Sequence, residues 1–340
     1  MKPKKLTFML LLLLFIAACF LAYSNGANDN FKGVATLFGS GITNYKKAIN
    51  WATITTFSGA VAAIFLAEEL VKNFSGKGLV PNNLIQTPIF AIAIALGAAI
   101  TVFSATKIGM PISTTHSLVG GLFGAGFMAV GSEFNFLKLG NTFLMPLIVS
   151  PLMAAILSLL AYLFFKFLRK KIPSLNIEKP TLIGISSPKI LDSLHYLSSG
   201  IVSFARGLND TPKIVGLLLI INAIDIKISM ISIAVIMALG GLLNARKVGE
   251  TMSKKITKMN SGQGFTANMI TGLLVTTASI HGLPVSTTHV SVGSLFGIGT
   301  VTKKANFKMI GKIVLSWILT LPIAAIMSAF VFKLLELLAS

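Results

Sequence analysis

The sequence predicts an all-α polytopic membrane protein made of two inverted-topology repeats with broken helices and re-entrant helical hairpins. Three observations predict this. Apolar residues make up 54% of the 340, charged residues only 11%, and the mean hydropathy is +0.83, whereas a soluble domain carries about 25% charged residues. A polar stretch between apolar runs occurs twice, as Gly109-Met110-Pro111-Ile112-Ser113-Thr114-Thr115-His116 and as Gly282-Leu283-Pro284-Val285-Ser286-Thr287-Thr288-His289. Each copy is preceded, at a distance, by an Asn-Asp pair: Asn28-Asp29 and Asn209-Asp210.

The chain opens on Lys2, Lys4 and Lys5 ahead of an apolar run over 6–22, which resembles a signal peptide, and Ile16-Ala17-Ala18-Cys19 looks a little like a lipoprotein cleavage site. The first Asn-Asp pair follows at once and the chain stays apolar, so this segment reads as retained, as half of the first broken helix. Further apolar segments cover 34–42, 48–70, 89–105, 117–130 and 143–167, then 190–205, 214–221, 228–243, 265–280, 290–301 and 309–338. At about 20 residues per span there is room for roughly nine to twelve crossings. Several segments are too short to span the hydrocarbon alone. Short, Gly- or Pro-interrupted segments at matching places in two halves mark discontinuous helices at a transport site. The polar stretch 169–189, with Pro173, Pro180 and Pro188, separates a first transmembrane repeat (1–168) from a second (190–340) as a cytoplasmic connector.

The repeat is checked by spacing. Asp210 follows Asp29 by 181 positions and Ser286 follows Ser113 by 173, so the motifs keep their order and nearly their separation. Loop charge gives the relative sense of the halves, because cytoplasmic loops collect Lys and Arg. Lys46 and Lys47 stand against Lys227 beside Asp225. Lys72 and Lys77 stand against Arg246, Lys247, Lys254, Lys255 and Lys258, and Lys138 with Glu133 against Lys303, Lys304 and Lys308. The basic member alternates along each half, so the repeat is inverted. The connector then lies inside and both termini outside, against which only the basic N-terminus disagrees.

The formal charge of +19 is explained by short basic loops that set orientation and meet anionic membrane lipid, with part available to draw in an anion; no nucleic-acid partner is expected. One cysteine, Cys19, excludes a disulfide framework within the chain. Glu68 and Glu69 close a span near a loop and read as interface charges. The glycines of 120–126 and 293–299 read as close helix packing.

The chemistry lies in the four polar knots. Ser and Thr are preferred N-caps, and a helix start, with its free N–H groups and dipole, is an anion site. Ser113, Thr114, Thr115, Ser286, Thr287 and Thr288 add neutral hydroxyl donors that can hold an oxyanion and release it, where a lysine or arginine cage would hold it too tightly. Two such tips, one from each half, would meet around a small tetrahedral anion. His116 and His289 read as ligands, as residues that orient the site, or as proton acceptors. Asp29 and Asp210 are costly in the bilayer and need a partner or a cation. Asn28 and Asn209, with carbonyls freed by a helix break at Gly26 or Gly207, supply hard oxygen ligands for a sodium ion beside Asp29 and Asp210, the expected metal ligands. The alternative is an internal ion pair, since Lys32 and Lys213 each follow the Asp by three. Lys32, Lys213 and Arg206 could also face the anion.

These residues resemble the PiT family of inorganic phosphate transporters, cation-coupled symporters, on Gly26-Ala27-Asn28-Asp29-Asn30, Gly207-Leu208-Asn209-Asp210-Thr211 and both Pro-x-Ser-Thr-Thr-His stretches. The resemblance covers essentially the whole chain. It implies an inverted-repeat fold, phosphate as substrate, sodium or proton as driver, a plasma-membrane location and no cofactor. Asn30-Phe31-Lys32 stands where family members commonly have an Ala-rich run, and there is no large hydrophilic central loop, as in the compact prokaryotic form. The departure bears on the coupling ion. A homodimer is one candidate assembly. Two other readings remain: a permease for another oxyanion such as sulfate, and an intramembrane hydrolase with Ser113 or Ser286 as nucleophile and a His as base. The duplication speaks against the second, since an enzyme needs one nucleophile.

Overall fold

The computed structural model describes residues 3–171, 181–182, 185–221, 225–256 and 259–339. The first half of the chain folds as α1 (Pro3–Asp29), α2 (Ala35–Gly39), α3 (Tyr45–Leu66), α4 (Glu68–Phe74), α5 (Asn82–Ile85), α6 (Pro88–Lys107), α7 (Thr114–Val130), α8 (Phe136–Lys138) and α9 (Met145–Lys171). A two-residue antiparallel ladder, Thr181–Leu182 with Ile185–Ser186, precedes the second half. There follow α10 (Ser187–Val215), α11 (Ile226–Asn244), α12 (Arg246–Lys254), α13 (Ser261–Ile280), α14 (Thr287–Val301) and α15 (Phe307–Ala339). Pro173 and Pro180 of the expected connector lie outside the described residues, and Pro188 sits in the first turn of α10, where its missing N–H costs nothing.

Among the described residues six segments are long and apolar enough to cross a membrane, fewer than the nine to twelve expected: Thr7–Gly39, Tyr45–Leu66, Pro88–Lys107, Phe136–Leu168, Ile226–Asn244 and Phe307–Ala339. The difference has a physical reason. α10 and α13 are as long as these, but they turn polar residues inward: His195, Arg206, Asn209, Asp210 and Lys213 on α10, and Gln263, Asn268 and Ser279 on α13 are all buried. α7 and α14, with 17 and 15 residues, are half-length.

The packing partners repeat from one half to the other. α1 lies on α6 and α11, and α10 lies on α13 and α3; α15 packs on α7, and α9 packs on α14. The last long helix of each half thus covers the short helix of the other. The two halves are interleaved rather than laid side by side.

Two expectations about breaks are corrected. The 6–22 segment is not half of a broken helix, because α1 runs unbroken to Asp29, and neither Gly26 nor Gly207 interrupts its helix. Gly26 presses on α11 and Gly207 on α3. A Cβ at Gly26 would lie 1.9 Å from the Met237 carbonyl oxygen, and one at Gly207 2.0 Å from that of Thr56. These glycines are crossing points. The chain turns only afterwards, through the 3-10 turns Lys32–Val34 and Gly216–Leu218. The glycines of α7 and α14 are also contact points, as expected: Gly124 meets the Ala325 carbonyl and Gly297 that of Ala155.

The ends of α3 separate two polar faces. At one, the Arg246 guanidinium lies 5.5 Å over the Tyr45 ring, Lys254 lies 5.1 Å over Phe38, and Asn306 N–H donates to the Ile256 carbonyl at 3.0 Å. At the other, Asn135 N–H donates to the Leu79 carbonyl at 2.9 Å, and the exposed Lys72 pairs with Glu68 and Glu69. The basic segments 46–47, 246–255 and 303–308 therefore gather at one face, with Lys72, Lys77 and Lys138 at the other.

The crossing is testable. Gly207→Ala forces a methyl group onto a backbone carbonyl and should cost roughly 1–3 kcal/mol, read as a lower thermal midpoint in detergent. Gly311→Ala, where a Cβ inside α15 would meet nothing within 4 Å, should not lower the midpoint and should raise it slightly.

Candidate functional site

Two helical hairpins carry the repeated stretches. Phe90, near the start of α6, and Gly126, near the end of α7, both pack on the 76–80 turn, so this hairpin enters and leaves at one face. The α13–α14 hairpin does the same from the other: Ser261 donates to Asp192 at 2.5 Å, and Asn306, just after α14, binds Ile256. Each turns at a glycine with a left-handed backbone, Gly109 (φ +72°) and Gly282 (φ +69°). The turns are braced in the same way, Lys247 Nζ on the Lys107 carbonyl and Asn73 Nδ2 on the Gly282 carbonyl, each at 3.0 Å.

From each turn the chain returns to the interior and starts its half-length helix under a serine cap. Ser113 Oγ accepts from His116 N–H at 3.1 Å, and Ser286 Oγ accepts from His289 N–H at 3.3 Å. The caps use the oxygen lone pairs and leave each hydroxyl proton free to donate. The first N–H groups of α7 and α14 have no intrahelical acceptor, which makes each start a donor cluster.

The two tips meet, and they meet by exchange. Thr288 Oγ1 donates to the Ile112 carbonyl at 3.1 Å, and Thr115 Oγ1 donates to the Val285 carbonyl at 3.2 Å. Each hydroxyl therefore reaches into the loop of the opposite hairpin. The Asn residues tie the preceding helices to the same loops. Asn28 Nδ2 donates to Thr106 Oγ1 (2.9 Å) and the Met110 carbonyl (3.1 Å), and its Oδ1 accepts from Ile112 N–H at 3.2 Å. Asn209 Nδ2 donates to the Val285 carbonyl (3.1 Å) and Thr287 Oγ1 (3.3 Å), and its Oδ1 accepts from Ser279 at 3.1 Å. The carbonyls freed at this site are thus those of the hairpin loops, not of Gly26 or Gly207.

Both aspartates have cationic partners. Asp29 is bound by Lys32 Nζ at 2.6 Å and accepts from Thr114 Oγ1 at 3.3 Å. Asp210 lies 3.5 Å from both Arg206 Nε and Lys213 Nζ, and its oxygens accept from Asn25 and Asn209 amides at 3.1 Å. The internal ion pair weighed from spacing is therefore present in both halves. Lys32, Arg206 and Lys213, which the sequence left as candidate neighbours of the anion, are all at most 2% exposed and bring positive charge to the hydroxyls. Three buried cations against two buried carboxylates leave one positive charge unbalanced, in a medium where an unpaired charge is costly.

His116 and His289 lie together, with ring centroids 4.3 Å apart, and His289 stacks on Trp317 at 3.7 Å. His289 Nδ1 faces the Leu147 carbonyl at 3.4 Å. Ser113 and Ser286 engage the backbone N–H of these histidines rather than their rings, which is not the base–nucleophile contact a hydrolase needs.

All the residues singled out from the sequence converge here. Spacing could have found more. Thr106 and Ser279 are separated by the same 173 positions as the tips, and Asn25 and Arg206 by the same 181 as the aspartates. Asn25 and Arg206 bind each other directly, and Arg206 Nη1 also donates to Asn30 Oδ1 at 3.1 Å.

Comparison with known proteins bears on the family and the fold. A family model described as the phosphate transporter family matches residues 25–328. A candidate phosphate permease of Thermococcus kodakarensis is 30% identical over 96% of this chain and 97% of its own length. A probable low-affinity inorganic phosphate transporter of Rhizobium meliloti is 27% identical over 98% of this chain and 99% of its own. Among solved structures, a sodium-dependent phosphate transporter superposes with a TM-score of 0.84 at 25% identity, covering 97% of this chain and 99% of the other.

Arg206→Met removes one of the two cations beside Asp210 and the donor that Asn25 Oδ1 accepts from, and should cost about 1–3 kcal/mol of stability. In Arg206→Met/Asp210→Asn the losses should fall short of additivity by about 0.5–3 kcal/mol, since the pair goes together. Thermal unfolding of the two single variants and the double variant measures this.

Proposed function

The chain belongs to the phosphate transporter family, and from that premise we propose that it is a secondary active transporter importing inorganic phosphate across the plasma membrane on a cation gradient, sodium in preference to protons. It is a multi-pass membrane transporter and not an enzyme. One observation carries the reading of the site: an unbalanced positive charge is buried where hydroxyls of two helix starts converge. A tetrahedral anion would neutralise that charge and take donors from both tips at once. The phosphate donors are Ser113, Thr114, Thr115, Ser286, Thr287 and Thr288. Asn28, Asp29, Asn209 and Asp210 serve cation coupling, because two carboxylates beside an anion repel it unless cations intervene, and His116 and His289 line the site from the side. The sodium dependence in the name of the matching solved structure supports sodium as driver.

We also read the halves, 1–168 and 190–340, as inverted repeats about a cytoplasmic connector, 169–189. Support comes from the hairpins, which enter from opposite faces, and from equivalent loops that lie at opposite ends of α3.

Uptake into proteoliposomes tests the substrate and the roles together. Arsenate, of the same geometry and similar protonation, should compete with labelled phosphate, while a hundredfold excess of sulfate should not. Asp210→Asn should weaken concentrative uptake and change its sodium dependence; Thr287→Ala should mainly raise the phosphate concentration needed. Asp210→Asn protein with unchanged sodium dependence and only weaker phosphate affinity would reverse these roles.

The inversion has its own test. On a Cys19→Ala background, a cysteine at Lys77 should react with an impermeant thiol reagent from outside, and one at Lys254 only from inside. Labelling of both from one side excludes inverted halves.

A further inference from the structure

The two lysines at the site differ in how they are held. Lys32 Nζ lies within hydrogen-bond distance of four oxygens, one more than its three N–H groups can each serve singly: Asp29 Oδ1 at 2.6 Å, the Ile112 carbonyl at 2.7 Å, Thr288 Oγ1 at 2.7 Å and Asn28 Oδ1 at 2.9 Å. Lys213 Nζ has two oxygens close by, Thr115 Oγ1 and the Val285 carbonyl, both at 2.7 Å, with its carboxylate at 3.5 Å. An ammonium has three N–H donors and no acceptor, so Lys32 has no proton left for an anion. It is not a phosphate ligand.

What surrounds Lys32 is the donor set of a hard monovalent cation: a carboxylate, a backbone carbonyl, an amide carbonyl and a hydroxyl, drawn from α1 and both hairpins. The ammonium also does what a bound ion would do, closing both tips over one charge. The side chain leaves the chain just past the end of α1, in the 3-10 turn, and is 2% exposed. Among the described residues nothing else of opposite charge meets Asp29 within ion-pair distance.

We propose that Lys32 is a tethered cation, occupying from within the chain a four-oxygen site that would otherwise take one co-transported cation. Each phosphate then crosses with one sodium fewer than it would in a chain lacking this ammonium, and the external cation acts on the Asp210 side. The inference rests on the reading of the chain as a cation-coupled phosphate transporter.

Lys32→Met empties the cage and leaves Asp29 to attract an ion. At subsaturating sodium, the slope of log uptake rate against log sodium should rise by about one, so each tenfold drop in sodium slows the variant about tenfold more than the wild type. Sodium chloride, but not choline chloride, should raise the thermal midpoint of purified Lys32→Met more than that of the wild type. Asp29→Asn/Lys32→Met, which removes the attracting charge too, should show neither gain. Lys32→Met with wild-type sodium slope and no added sodium stabilisation overturns the proposal, as does Lys32→Met protein whose fold sodium cannot restore. Wild-type protein that takes up no phosphate would instead refute the transport reading, while the sodium stabilisation of Lys32→Met still decides the cage.

Discussion

Two backbone carbonyls, Ile112 and Val285, are the hub of the structure. Each ends a short extended segment that returns from a hairpin turn, so it has no helix or sheet partner of its own. Each is satisfied from the other half and by a lysine: Thr288 and Lys32 at Ile112, Thr115, Lys213 and Asn209 at Val285. Away from water an unmet carbonyl costs several kcal/mol. Each carbonyl has a donor from its own half and one from the other, so the two tips are tied to each other as well as to their own helices. The exchange of Thr115 and Thr288 is what makes one site out of two repeats.

The buried charges follow from that hub. Lys213 is placed beside its aspartate by α10 and Lys32 by the 3-10 turn that follows α1, and their length carries each ammonium to the loop carbonyl of its own hairpin and the threonine hydroxyl of the other. Arg206 fills the remaining gap by binding Asn25, its counterpart in the repeat spacing. A cluster with one cation in excess is held by its hydrogen bonds, and here most donors and acceptors have partners. In the proposed function its surplus attracts a negatively charged substrate, and its hydroxyls are the groups proposed to change partners when one arrives. A site of fixed cations with movable neutral donors combines attraction with release.

The glycines show how the same residues can be read in two ways. A Gly before Asn-Asp in an apolar run is consistent with a broken helix, and a break would free carbonyls for a cation. The same Gly also permits a helix crossing closer than any side chain allows. Which of the two occurs depends on whether another helix arrives there, and α11 and α3 do. The oxygen ligands then come from the hairpin loops, and the chain turns a few residues later than expected.

The sequence alone determined the class of the protein and the ingredients of its site. Composition required a membrane interior, and a duplicated motif with matched spacing required a site shared by two halves, because hydroxyls, Asn-Asp pairs and a His are too costly in lipid to recur by accident. Family membership was legible from four short motifs for the same reason. The tertiary structure decided what periodicity cannot carry. That Thr115 bonds to Val285 and Thr288 to Ile112 depends on contacts about 170 residues apart. That three cations share one cluster with two carboxylates depends on rotamers and on the crossing of α1 with α11 and of α10 with α3. Spacing put each lysine beside an aspartate, but only the meeting of the hairpins filled the cage around Lys32. Local sequence fixes which groups a helix presents, and their partners are set by packing between distant segments.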